Sequence, residues 1–276
     1  MRFSSPKLIA PPINLRTRLP RGIAVVMPAL DEEESVGAAV RHWKDWGADT
    51  VIVVDNGSRD ATSLRARAAG AQVVREEHRG YGAAAWTGAQ HLPRDAEWIL
   101  FASADGSDFL DEKSAQNLSA AMESGADLIV GDRTRHSESR RHLTGPQRFG
   151  NRLSSLLIAV GWAAPVYRDM GSLRVVEREA FERLALRDRG FGWNIEMQVR
   201  AIEAELIITE VPVRYRPRTA GEPKISGNLR GAIRAGRDIL AMIARLWWMR
   251  HNPLAVKASE PPASSRGIEA LSIVKK

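Results

Sequence analysis

Five short apolar runs, each ending in polar residues and each followed by a helical pattern, restrict this chain more than any other feature. They are "GIAVVMPAL" (22–30), "TVIVVD" (50–55), "AQVV" near 72–75, "WILFAS" (98–103) and "DLIVG" (127–131). Between the first two, Val36, Ala39, Val40 and Trp43 recur at the spacing of one helix face. "GYGAAAWTGAQHL" and "DEKSAQNLSAAMESG" supply further helices. Strands that alternate with helices predict a parallel sheet covered on both sides. Ligands of such sheets sit at the C-terminal strand ends. Here those ends read Pro28-Ala-Leu-Asp31, Asp55-Asn56-Gly57, Ser103-Ala104-Asp105 and Gly131-Asp132-Arg133, so polar groups converge on one rim.

After about residue 134 the rhythm changes. A helix "PQRFGNRLSSLLIAVGW", the segment "RDMGSLRVV", a helix around 192–204 and a β-rich "LIITEVPVRYRPR" follow. The loop "TAGEPKISG" leads to a long helix from Asn228 to Arg250. This divides the chain into a basic leader (1–21), a main domain (22–227), an amphipathic C-terminal helix (228–252) and a disordered tail (253–276). Charge follows the same division. Residues 1–21 carry +5, residues 214–250 carry +7 and residues 251–276 carry +2, which leaves −7 for residues 22–213 out of a total of +7. An acidic body with basic ends argues against nucleic acid as a partner and for phosphates or an anionic surface. No apolar run reaches the roughly 18 residues of a membrane span. Residues 1–21 lack the apolar core of a secretory leader, and cysteine is absent. The expectation is a cytoplasmic protein, peripheral at the cytoplasmic membrane face.

Three groups on the rim carry chemistry. Carboxylates at Asp31, Glu32 and Asp55 can accept hydrogen bonds from a nucleobase or a sugar; equally, Asp31 can cap the next helix and Asp55 serve its turn. "GYGAAA" matches a dinucleotide fingerprint in form, but it follows the third strand rather than the first, so close packing of small residues explains it. The loop "SADGSD" offers oxygen from Ser103, Asp105, Ser107 and Asp108 to a hard divalent cation. Mg²⁺ commonly takes only one or two protein carboxylates and completes its shell with water and substrate phosphates. Asp105 alone is then sufficient when a diphosphate supplies the rest. Asp108 or Asp111 is expected to cap the following helix.

In these motifs the chain resembles family-2 glycosyltransferases of the GT-A fold, nearest to the dolichyl-phosphate mannose synthase-like branch. The resemblance covers about residues 22–227 and rests on "VVMPALDEEESV", "VIVVDNGSRDAT", "RGYGAAAWTGA", "ILFASADGSD", "GDRTR", "RDMGSLRVV", "GWNIEMQVRA" and "VPVRYRPRTAGEPKISG". It implies a Rossmann-like α/β fold and an inverting hexose transfer from a nucleoside diphosphate sugar, UDP- or GDP-linked. It implies that Pro28, Leu30, Glu32 and Asp55 surround the base, with Ser103, Ala104 and Arg133 also on the sugar-nucleotide side. Asp105, the second acid of the D-x-D motif, would contact Mg²⁺ or Mn²⁺ and the diphosphate, with Ser107 beside the metal. Ser103 departs from the family, because the first acid of that motif is missing. Arg133, Arg218 and Lys224 fall on basic positions that face phosphates or acceptor, the last two on a loop suited to act as a lid.

Asp169 and Glu196 lie where the resemblance expects acceptor-side groups. A hydroxyl acceptor needs a carboxylate to take its proton, whereas a phosphate oxygen is already anionic. Asp169 can instead pair with Arg174 or Arg148, and Glu196 can cap or bridge within its own helix. In the long helix, Arg230, Arg234, Arg237 and Arg245 share one stripe beside a broad apolar face with Trp247 and Trp248. A membrane surface, packing on the domain and a homodimer contact all fit that face. The reading is a hexosyltransferase acting on a polyprenyl phosphate. The alternatives are transfer to a soluble hydroxyl acceptor, a nucleotidyltransferase, which the acidic loop after the first strand disfavours, and a non-catalytic sugar-nucleotide-binding protein.

Overall fold

The five strand-forming runs become β-strands of one seven-stranded sheet, as the computed structural model of the chain shows; it describes residues 19–218 and 229–252, with side chains from residue 235 in the second stretch. In chain order the elements begin β1 (Ile23–Ala29), α1 (Val36–Asp45), β2 (Thr50–Asp55), α2 (Thr62–Ala68), β3 (Gln72–Arg75) and α3 (Tyr81–Gln90). They continue through β4 (Trp98–Phe101), β5 (Asp108–Phe109), α4 (Glu112–Glu123), β6 (Leu128–Asp132), α5 (Ser137–His142) and α6 (Gly145–Trp162). The rest are β7 (Arg174–Glu177), α7 (Arg178–Leu184), α8 (Trp193–Glu203), β8 (Ile208–Pro212), β9 (Arg214–Tyr215) and α9 (Leu229–His251).

The sheet order is β3-β2-β1-β4-β7-β6-β8, with β5 and β9 forming a separate two-stranded ladder. Within the seven-stranded sheet β7 runs antiparallel to both β4 and β6 and the other pairings are parallel, while β5 and β9 pair antiparallel. The reversal at β7 lets Ser172 and Asp169, just before it, join the rim formed by the C-terminal ends of β1, β2, β4 and β6. Both faces of the sheet are dry. Val25, Met27, Val53 and Leu100 meet α1 and α4 residues such as Trp43 and Leu118, while Val26, Val54 and Phe101 meet α3 and α8 through Ala84, Ala85 and Trp193. Strands buried on both sides read as continuous apolar runs, which is why no alternation marks them.

Helix α9 packs one face, Met242, Ile243 and Leu246, against Ile158 and Trp162 of α6 and Ile195 and Val199 of α8. Packing on the domain thus accounts for that face. Leu19, assigned from sequence to the leader, is buried against the core, and its N–H donates to the Trp46 carbonyl at 2.8 Å. Residues 1–18 of the leader, the 219–228 segment with Lys224, and the tail lie outside the described residues, as do the side chains of Arg230 and Arg234.

Helix α3 approaches the sheet as closely as backbone allows. A Cβ on Gly88 would overlap Val26 and crowd Val54, two buried strand side chains. Overpacking a dense core by one methyl costs typically 1–3 kcal/mol. Gly88→Ala is therefore expected to lower stability by about 1–3 kcal/mol, read from the urea midpoint at unchanged slope.

Candidate functional site

The first two rim loops are stitched to each other by the acidic run. The Asp31 N–H donates to Ser58 Oγ at 3.0 Å, and Asp31 Oδ1 accepts from the Arg59 N–H at 2.7 Å. The Glu32 N–H reaches Thr62 Oγ1 at 2.7 Å, the Glu33 N–H reaches Asp60 Oδ2 at 3.1 Å, and Glu33 Oε2 accepts from the Ala61 N–H at 3.0 Å. Asp31 sits at φ +48°, in the left-handed region that Asp tolerates better than most residues. It does not cap α1, whose N-cap is Ser35. Asp55 does serve its turn, accepting from the Ser58 N–H at 2.8 Å and the Ser63 hydroxyl at 2.5 Å. Burial opposes the Asp55 charge, but the bonds from Ser63 and Ser58 outweigh it and lower its pKa. Pro28 and Leu30 stand half-buried on the same edge.

The third loop holds the residues expected at a cation. The Ser107 N–H and hydroxyl both bond to Asp105 Oδ1, at 2.9 and 2.6 Å. Arg218 reaches across from the chain after β9. Its guanidinium contacts Glu32 Oε1 and Oε2 at 2.5 and 2.7 Å and stands 3.6 Å from Asp105 Oδ2. One cation thus spans the carboxylate of the first rim loop and that of the third. Among the described residues no group of three or more His, Cys, Asp or Glu is placed to hold a metal. Asp105 with Ser107 fits a hard cation that draws the rest of its shell from a diphosphate and water, not a self-sufficient cage.

Ser103 is engaged in a part-buried network with Asp108 and Ser172. Its N–H donates to Asp108 Oδ2 at 2.9 Å, its hydroxyl donates to Ser172 Oγ at 3.0 Å, and the Ser172 hydroxyl donates to Asp108 Oδ2 at 2.8 Å. Burial pushes the Asp108 carboxyl up, against the pull of Arg133. Ala104 is buried between these two networks. The helix-capping role falls to Asp111, which accepts from the Ser114 N–H at 2.8 Å.

Behind the rim lies a buried ion pair. Asp169, fully buried, accepts at Oδ2 from the Arg133 N–H (3.0 Å) and Nε (2.7 Å), and at Oδ1 from Arg133 Nη2 (2.8 Å) and Asn151 Nδ2 (2.6 Å). Its partner is neither Arg174 nor Arg148; Arg174 donates instead to Gln198 at 2.9 Å. Burial works against the Asp169 charge, and Arg133 overrides it, holding the carboxyl below its usual range. The other side of the Arg133 guanidinium lies over the Tyr215 ring, 4.9 Å from its centroid. Sequence reading passed over both Tyr215 and Asn151. The former lies inside the "VPVRYRPR" motif, but nothing in the spacing singles out the latter.

Glu196 is likewise occupied. Its Oε2 accepts from the backbone of Arg187 at 2.9 Å and Asp188 at 2.7 Å, rather than from a partner in α8. The chain segment so held meets the start of α3, where the Gly82 and Ala83 N–H groups donate to the Gly190 and Arg189 carbonyls at 3.0 and 2.9 Å. A Cβ on Gly80 would overlap the Arg189 carbonyl, at a φ of +154° that glycine alone takes readily. The glycines of "GYGAAA" thus serve backbone contact.

The description "Glycosyl transferase family 2" matches residues 24–185. The chain belongs to that family. It is a glycosyltransferase of the GT-A fold. An uncharacterised glycosyltransferase of Mycobacterium tuberculosis (strain ATCC 25618 / H37Rv) is 36% identical over 222 residues, 80% of this chain and 98% of the relative. A polyprenol monophosphomannose synthase of Mycolicibacterium smegmatis (strain ATCC 700084 / mc(2)155) is 30% identical over 228 residues, 76% of this chain and 83% of the relative. Among solved structures, glucosyl-3-phosphoglycerate synthase from Mycobacterium tuberculosis, in complex with Mn²⁺, UDP-glucose and phosphoglyceric acid, aligns with a TM-score of 0.64 at 21% identity, over 82% of this chain and 79% of that one.

Removing one member of a buried ion pair leaves an uncompensated charge and costs about 3–5 kcal/mol. Asp169→Asn is expected to lose that much stability at pH 7, and Arg133→Met in the same chain to restore part of it. The sign with pH follows from the lowered pKa. The stabilisation is complete above the unfolded carboxyl value of about 3.9 and is lost as pH falls through the folded value. The gap between parent and variant in urea denaturation should therefore close in acid.

Proposed function

We propose that this enzyme moves a hexose, with inversion, from a nucleoside diphosphate sugar (UDP- or GDP-hexose) to a polyprenyl phosphate at the cytoplasmic membrane face. The donor's base lies along Pro28, Leu30, Glu32 and Asp55. Its diphosphate lies at Asp105 and Ser107 with Mg²⁺ or Mn²⁺, a cation that neutralises the charge of the departing diphosphate. The solved glucosyl-3-phosphoglycerate synthase, with Mn²⁺ and UDP-glucose, supports that assignment of donor and metal. The name of the M. smegmatis relative supports the lipid phosphate.

The observation that carries the acceptor reading is the saturation of Asp169. Four hydrogen bonds converge on its two oxygens, and its pKa is lowered. A carboxylate so engaged is a poor proton acceptor, since taking a proton would break the Arg133 fork. Glu196 is bound to two backbone N–H groups. A nucleophile that arrives as an anion needs neither as a base. In this reading Asp169 is a positioning residue that orients Arg133 toward the acceptor's negative charge. Arg218 and Lys224 close over the phosphates, and Arg218 exchanges its contact with Glu32 and Asp105 for the donor. Preorganised cations near the leaving group act on the transition state.

A second reading, transfer to a soluble hydroxyl acceptor, is favoured by the phosphoglyceric acid in the solved neighbour. Matched acceptors separate the two. With a panel of sugar nucleotides and Mn²⁺, the enzyme is expected to glycosylate polyprenyl phosphate in detergent but not the corresponding polyprenol. Equal or faster transfer to polyprenol, or to phosphoglycerate, overturns the phosphate-oxygen nucleophile. Asp105→Asn is expected to lower turnover by about 10²–10³-fold, the scale of one lost electrostatic contact, and to weaken Mn²⁺-dependent donor binding in calorimetry. Undiminished turnover would remove Asp105 from the site.

A further inference from the structure

Helix α6 is apolar on two opposite sides. Ile158 and Trp162 are buried against α8 and α9. On the outward side Phe149 is 70% exposed, Leu156 51%, Leu157 36% and Val160 77%. With half-buried Leu153, these residues fall within an arc of about 100° at helical spacing. Helix α9 repeats the arrangement, with Met242, Ile243 and Leu246 inward and Leu240, Trp247 and Trp248 exposed. The two outward surfaces adjoin, since a Cβ on Gly161 would stand 3.3 Å from Trp247 Cδ1. Of the ten exposed large apolar side chains among the described residues, seven lie on these two helices. Exposed apolar residues scattered singly need no explanation, but a continuous surface of them does.

The charges on these two helices are mostly basic, and the Arg237 guanidinium pairs with the one acid, Asp238, at 3.2 Å. Helix α6 contains no acidic residue, and Arg148 and Arg152 are exposed along one flank of its apolar arc. On α9, Arg237, Arg245 and Arg250 are exposed, and Asp238 is its single acid. Neither helix is long and apolar enough to cross a membrane. Apolar residues with tryptophan at the edge and arginine at the flanks match a helix lying in the interface of a bilayer, where indole rings favour the headgroup level and cations meet anionic lipid.

We propose that the outward faces of α6 and of the C-terminal half of α9 form one membrane-binding surface for an anionic lipid bilayer. Its position suits delivery of a lipid-borne phosphate, and to that extent it rests on the acceptor proposed above. Asn151, in the same turn of α6 as exposed Phe149 and Arg152, bonds to Asp169 at 2.6 Å. The surface and the acceptor side of the site therefore share one helix.

The test uses the full chain with vesicles that contain no polyprenyl phosphate. Cosedimentation with phosphatidylglycerol–phosphatidylcholine vesicles is expected, with little binding to phosphatidylcholine alone and at least a tenfold loss between low and high salt. Leu156→Glu with Val160→Glu is expected to weaken vesicle binding at least tenfold. Leu64→Glu, at an equally exposed site on α2, serves as the control and should bind like the parent. All three positions face outward, so thermal melting should show the fold retained. Unchanged vesicle binding by the double variant overturns the surface. So does a parent that ignores vesicles and forms a dimer which the double variant dissolves. An enzyme that binds vesicles but glycosylates only soluble alcohols leaves the surface standing and removes the lipid acceptor. One that glycosylates polyprenyl phosphate in detergent yet never binds vesicles does the reverse.

Discussion

Four stretches of chain behind the rim are arranged around one buried fork, Arg133 on Asp169. Two charges taken out of water are tolerated only when their attraction is geometrically complete and their remaining valences are filled. Arg133 gives its backbone N–H and two guanidinium nitrogens, Asn151 adds a further donor, and the Tyr215 ring covers the guanidinium plane. Those residues come from the loop after β6, from α6, from β9 and from the segment before β7. One ion pair therefore fixes four separate stretches of chain. It also decides the chemistry open to Asp169, because a group that holds the structure together in its ionised form is ill suited to shuttle protons.

The central strands were legible because strands covered on both faces must be uninterrupted apolar runs, and residues 23–29, 50–55 and 98–101 are. So was the inward face of α1, whose Val36, Ala39, Val40 and Trp43 are all buried. Partners were harder to read. Asp169 was offered two arginines close by in sequence, and the structure pairs it with a third, 36 positions away, brought near by the reversal of β7. Helical periodicity showed that α9 had a broad apolar face but could not show that it would be shared between α6, α8 and the outside. That depends on α6, which is apolar on both sides and so signals burial where it is in part exposed.

The rim illustrates a related limit. Clusters of acids at strand ends suggest ligands, and the run Asp31 to Glu33 does line the edge. Yet most of its polar groups are used on the neighbouring loop, residues 58–62. Hydrogen bonds between adjacent loops make a rigid edge from segments with no regular structure of their own. Glu196 and the α3 glycines do the same for the segment at 187–190. Such residues resemble ligand groups in sequence because both tasks call for short polar side chains and unhindered backbone.

The ladder of β5 and β9 is only two residues long on each strand, with Asp108 opposite Tyr215 and Phe109 opposite Arg214. Beside it the Arg216 N–H donates to the Ser107 carbonyl at 3.1 Å, and Arg216 Nε donates to the Gly106 carbonyl at 2.8 Å. This clasp binds the loop that carries Asp105 to the strand that leads into Arg218. Arg218 thus follows, by two residues, a point at which the chain is pinned to the Asp105 loop. A clasp built this way keeps the guanidinium of Arg218 and the carboxylate of Asp105 in register, like the two halves of one buckle.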